Sequence, residues 1–126
     1  MKPNTLTIAS LLSIILLPFH IGGDVAFGFD RGGSGLFFVV VPILLVVACG
    51  TLLLAERRSG HFIMFLGGVA ALGMPFIHRN NGFTAAVAKS PGGLFFMWTL
   101  IALGVTGGLA MILSARGLWN LRSPKT

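Results

Sequence analysis

Tyrosine is absent from this sequence, cysteine occurs once, and only three residues are acidic. Charged residues of both signs make up 10% of the 126 positions. A soluble domain carries about 25%. So few charges cannot cover a water-facing surface, which excludes an ordinary soluble globule and makes lipid the solvent over much of the molecule. The lone thiol, Cys49, excludes an internal disulfide and a thiolate–metal cluster. It lies in an apolar run, where the thiolate is disfavoured, and reads as a small packing residue. The acids are Asp24, Asp30 and Glu56. None falls inside an expected span, which argues against an ion-coupled transporter working as a single chain. There is also no phosphate-binding loop, nucleophile elbow or His-Glu-x-x-His pattern. We therefore expect no catalytic residues and no enzyme activity.

Nine basic residues give a net charge of +6. On a soluble protein that balance would suggest nucleic acid. Here the basic residues sit at the ends of apolar runs rather than along a helix face. Membrane orientation and contact with anionic headgroups explain them better, and no nucleic-acid partner is expected.

What is present in abundance is hydrophobic sequence, 55% of the chain, together with 18 glycines. It falls into four uncharged runs, at residues 4–21, 35–55, 61–77 and 93–115. Each has about the 17–25 residues a membrane helix needs. The expected fold is an all-α membrane protein with four transmembrane helices forming a four-helix bundle.

Much of the chain also occurs twice. His20 and His78 stand 58 residues apart, as do the two Gly-Leu-Phe-Phe runs at 35–38 and 93–96, Gly50 and Gly108, and Arg58 and Arg116. A fixed period of this kind marks an internal repeat. The expected organisation is one integral membrane domain over 1–126, with helical-hairpin repeats at about 5–58 and 61–116 and a basic tail at 117–126. The first run has an internal counterpart in the second repeat, so it reads as a span and not as a cleaved leader. With both termini inside, Lys2, Arg57, Arg58, Arg116, Arg122 and Lys125 are cytoplasmic. Only Arg31, Arg79 and Lys89 are then outside. The positive-inside rule thus favours N-in/C-in, and the repeats are parallel, as expected for a multi-pass protein of a bacterial inner membrane.

That topology places loops 20–34 and 78–92 on the outer side. Their glycine clusters are turn signals. Asp24, Asp30, Arg31, Arg79 and Lys89 are the candidate partner contacts there. Helix packing is expected where small residues recur at i, i+4: Gly67 with Ala71, Gly104 with Gly108, and Ala9 with Ser13.

His20 and His78 are the strongest chemical signal. A parallel pseudo-twofold would face them across the bundle at one depth, where two imidazoles can hold haem b or join a metal or quinone site. Asp24, one turn beyond His20, can orient it. Simpler is that both histidines are polar residues ending a span near the headgroups. The leading functional expectation is a non-enzymatic accessory, assembly or immunity-type protein without a cofactor, acting on a membrane-protein partner or as a homo-oligomer. The alternatives are an electron-transfer subunit binding haem or quinone through His20 and His78, and an oligomeric small channel or transporter.

Overall fold

The computed structural model describes residues 4–29 and 35–122. They form five helices: α1 (Thr5–Phe27), α2 (Gly35–Leu52), α3 (Arg58–Ile77), the short α4 (Ala85–Lys89) and α5 (Gly93–Asn120). Four of them, α1, α2, α3 and α5, are long and apolar enough to cross a membrane. Large apolar side chains stand exposed along them, including Phe38 at 85%, Leu94 at 70% and Leu45 at 62%. Lipid solvates such side chains and water does not, so the surface is consistent with a multi-pass integral membrane protein.

α1 starts at Asn4, whose side chain accepts from the Thr7 N–H at 2.8 Å, an ordinary N-cap. The sequence reading ends this helix near residue 21. The helix instead runs on through Gly22 and Gly23 to Phe27, and stops where Gly28 turns left-handed (φ 72°) with its N–H on the Asp24 carbonyl. Gly23 faces α5, where a Cβ would lie in van der Waals contact with the Phe95 ring at 3.4 Å, while Gly22 has nothing within 4 Å. Asp24 therefore lies within a span-length helix and is buried. This corrects both its assignment to an outer loop and the expectation that no acid lies in a span.

The other boundaries differ less. α3 starts at Arg58, three residues before the expected 61, and α5 extends to Asn120, through the first part of the expected tail. The loop at 78–92 contains α4, capped by the Thr84 hydroxyl, which accepts from the Val87 N–H at 3.2 Å.

Neighbouring helices run antiparallel. On α1 and α5, Ala9 lies near Ala110, Ser13 meets Thr106 and His20 meets Thr99. On α3 and α5, His61 meets Gly117, Gly68 meets Gly107 and Gly104 meets Pro75. On α2 and α3, Gly50 meets Ile63 and Gly67 meets Val47. α1 and α3 are thus parallel, with α5 packed against both on one side and α2 against both on the other. Among the described residues α2 and α5 do not touch.

The most extensive packing is α3 on α5. Its closest point is Gly68 against Gly107: a Cβ on either would fall within 2.8 Å of the other's carbonyl oxygen. Ala71 is buried against this crossing. The other expected packing glycines lie around it. Gly67 faces Val47 of α2, Gly104 faces the Pro75 ring at 3.1 Å, and Gly108 has only the Leu72 methyl at 3.7 Å. Ala9 and Ser13 are both buried on α1.

Candidate functional site

α1 buries a polar stripe. Ser10, Ser13, His20 and Asp24 share one face, spaced as a helix repeats, and all are buried. Each of the first three meets a threonine on another helix. Thr51 donates to the Val47 carbonyl at 2.7 Å, so its oxygen accepts from Ser10 at 2.7 Å. Thr106 donates to the Ala102 carbonyl at 2.9 Å and accepts from Ser13 at 2.9 Å. Thr99 donates to the Phe96 carbonyl at 2.8 Å and accepts from His20 Nδ1 at 3.0 Å. A threonine whose proton is committed to its own helix presents only lone pairs to its neighbour, which fixes the direction of the bonds from Ser10 and His20; Ser13 also has the Ala9 carbonyl at 3.0 Å as an acceptor.

That logic sets the tautomer of His20: the proton is on Nδ1, and Nε2 carries a lone pair. His78, at the C-cap of α3, is in the same state. Its Nδ1 lies 3.1 Å from the Met74 carbonyl, which can only accept. The two Nε2 atoms converge on one carboxylate oxygen, Asp24 Oδ2, at 3.6 Å from His20 and 3.9 Å from His78. Both distances are too long for hydrogen bonds. The rings meet edge to face with centroids 5.4 Å apart. Phe96 packs against both, at 5.0 Å and 5.4 Å. His20 is 1% exposed and Asp24 3%, while the His78 side chain is 25% exposed and opens the cluster to one side. Gly82 lies against the His78 carbonyl oxygen and Cβ, where a Cβ would come within 2.9 Å of both.

The structure thus joins His20 and His78, as their spacing predicts, and makes Asp24 a neighbour of both imidazoles. Arg79 and Lys89 are exposed and outside the cluster. Asp30 and Arg31 lie outside the described residues, as do Lys2 and Lys125. Thr99 and Phe96 were not anticipated. The signal for Thr99 is its place on a run of apolar residues one turn beyond Gly-Leu-Phe-Phe, where a hydroxyl must find a partner inside the protein. At the other end of the bundle His61 lies across Gly117, where a Cβ would come within 2.5 Å of the ring. Nearby, Arg58, Phe62, Phe65, Trp119 and Arg122 surround a pocket of about 570 Å³, an arrangement typical of a headgroup boundary.

No protein-family model, curated protein or solved structure matches this chain.

Proposed function

We propose that the chain is a non-enzymatic accessory protein of a bacterial inner membrane, built from two parallel hairpin repeats with both termini inside, and that it works by docking a transmembrane helix of another membrane protein. The observation that carries this reading is the groove between α2 and α3. Pro42, Val46, Ile63, Leu66, Gly67 and Ala70 line a volume of about 320 Å³ with no charged group. In lipid, association depends on close packing and on interhelical hydrogen bonds, and small residues such as Gly67 and Ala70 allow both. Pro42 has no N–H to offer the Phe38 carbonyl one turn back, which leaves α2 one intrahelical bond short beside the groove. α2 itself buries only Gly50 and Thr51.

A photoreactive benzoylphenylalanine at Val46 or Leu66 should give a discrete adduct with another membrane protein, mapped to an apolar segment of about 20 residues. The same probe at Ile112, exposed on α5, should not. Ala70→Phe, which fills the groove, should abolish the adducts. Adducts of this chain with itself, or equal adducts from all three positions, would refute the docking surface. The basic-residue asymmetry that supports N-in/C-in has its own test. In a Cys49→Ala background, Ser90→Cys should react with an impermeant maleimide on intact cells and Ser59→Cys should not; the reverse pattern inverts the topology.

The electron-transfer reading rests on the adjacency of His20 and His78. A porphyrin between them needs its axial nitrogens on opposite faces of a wide ring, whereas here both point to one carboxylate and Phe96 packs on both imidazoles. The geometry favours a smaller occupant, and we expect the purified protein to be colourless.

A further inference from the structure

We propose that His20, His78 and Asp24 form a binding site for one divalent transition-metal cation of the zinc class. Three Lewis-basic groups converge: His20 Nε2, His78 Nε2 and the Asp24 carboxylate, with ligand atoms all within 4.8 Å of one another. The proton of each ring is committed to the far nitrogen, so the near nitrogens have only lone pairs to offer. A cation placed between these nitrogens and the carboxylate oxygen, which lie 3.6 Å and 3.9 Å apart, would be attracted by all three groups. His20 is 1% exposed and its Nε2 has no hydrogen-bond partner. An unpartnered buried ring nitrogen is costly, and a metal ion removes that cost by accepting the lone pair.

The surroundings fit the same occupant. Metal-bound histidines donate their other N–H to a carbonyl, a carboxylate or water, which fixes ring orientation. His78 does this with the Met74 carbonyl at 3.1 Å, and His20 does the equivalent with the Thr99 hydroxyl at 3.0 Å. Two imidazoles and one carboxylate are a borderline donor set, suited to zinc, copper, nickel or iron(II) rather than to calcium or magnesium. A tetrahedral zinc ion with bonds of about 2.0–2.2 Å holds its ligand atoms about 3.3–3.5 Å apart. The nitrogen–carboxylate separations of 3.6 Å and 3.9 Å are slightly wider, all three ligand atoms lie within 4.8 Å of one another, and His78, partly exposed at the end of α3, can close the difference by rotating. Three protein ligands leave a fourth position open on the His78 side, the pattern of exchangeable rather than purely structural zinc sites. The ligands come from α1 and α3, so the ion would also tie together the ends of two helices that have limited packing of their own.

The test uses the full chain, purified in mild detergent without a polyhistidine tag. It is titrated with zinc(II) against a chromophoric chelator and with cobalt(II), which reports tetrahedral nitrogen/oxygen coordination by visible absorption. The wild type should bind one equivalent of either metal. Asp24→Asn and His78→Gln should each weaken binding by tenfold or more, and His61→Gln should leave it unchanged. Thr99→Val, which touches no metal ligand atom but orients His20, should weaken binding about 10- to 100-fold. His78→Gln lies at the exposed edge of the cluster; its circular dichroism and elution volume should match the wild type, so its loss of binding is not a loss of fold. No stoichiometric binding by wild type overturns the site, as does binding that survives both Asp24→Asn and His78→Gln, or that is lost in His61→Gln.

Discussion

Leucine in place of Gly68 or Gly107 is expected to be the most damaging substitution at the crossing of α3 and α5. The two glycines bring the backbones of α3 and α5 into contact. A Cβ on Gly68 would lie 2.6 Å from the Met111 nitrogen, and one on Gly107 2.6 Å from the Leu72 nitrogen and 2.7 Å from Ala71 Cβ. These are mostly backbone atoms of packed helices and cannot rotate away, so the helices must separate. Overpacking a well-packed interior typically costs about 1–3 kcal/mol, and the upper end applies where backbone is the obstacle. Even alanine should destabilise at both positions. Gly104→Ala meets only the Pro75 ring edge at 3.1 Å and Gly108→Ala only a leucine methyl at 3.7 Å, so both should be mild. Gly73→Ala, with nothing within 4 Å, should be neutral or stabilise by about 0.5–1 kcal/mol, because alanine is the better helix former. Thermal melting in detergent ranks the series. Gly104→Ala and Gly108→Ala falling as far as Gly68→Ala and Gly107→Ala would move the α3–α5 crossing.

The four long helices were legible because lipid demands about 20 apolar residues in a row, and such runs survive any error of a few residues at their ends. The ends themselves were less legible. Gly22 and Gly23 have the composition of a turn, yet they lie inside α1, whose end packs Gly23 beside the Phe95 ring. That single difference moved Asp24 from a loop to the buried cluster. The pairing of His20 with His78 was legible from their equal spacing to the Gly-Leu-Phe-Phe runs. The polar stripe of α1 was also written in the chain, at Ser10, Ser13, His20 and Asp24, but helical phase matters only once the helix is known to continue past residue 21. In α5 the i, i+4 pair Gly104 and Gly108 resembled a packing motif. Which glycine meets the neighbouring backbone depends on helix rotation, which spacing alone does not set, and Gly107 is the one that does. Thr99 had the weakest signal of all, since a lone threonine in an apolar helix can satisfy itself on a carbonyl one turn back, as this one also does on that of Phe96.

Thr99 also gives the sharpest check on the protonation state assigned to His20. Thr99→Val preserves shape and removes the acceptor that His20 Nδ1 meets among the described residues. With the ring 1% exposed and Thr99 fully buried, water cannot replace the lost oxygen. An unsatisfied buried donor costs about 1–3 kcal/mol, and polar pairs in membrane proteins fall at the lower part of that range. We expect a loss of about 1–2 kcal/mol for Thr99→Val and much less for Thr99→Ser, which keeps the hydroxyl. His20→Phe removes the donor while retaining a ring against Phe96, which the imidazole meets at 5.0 Å with its plane tilted by 34°. In that background Thr99→Val should cost almost nothing, so the double-mutant cycle should return a coupling close to the single-mutant loss. If the two substitutions are additive, His20 does not donate to Thr99. The bond that places the ring proton on Nδ1 would then be absent, and Nε2 would no longer be assigned as the lone-pair nitrogen of His20.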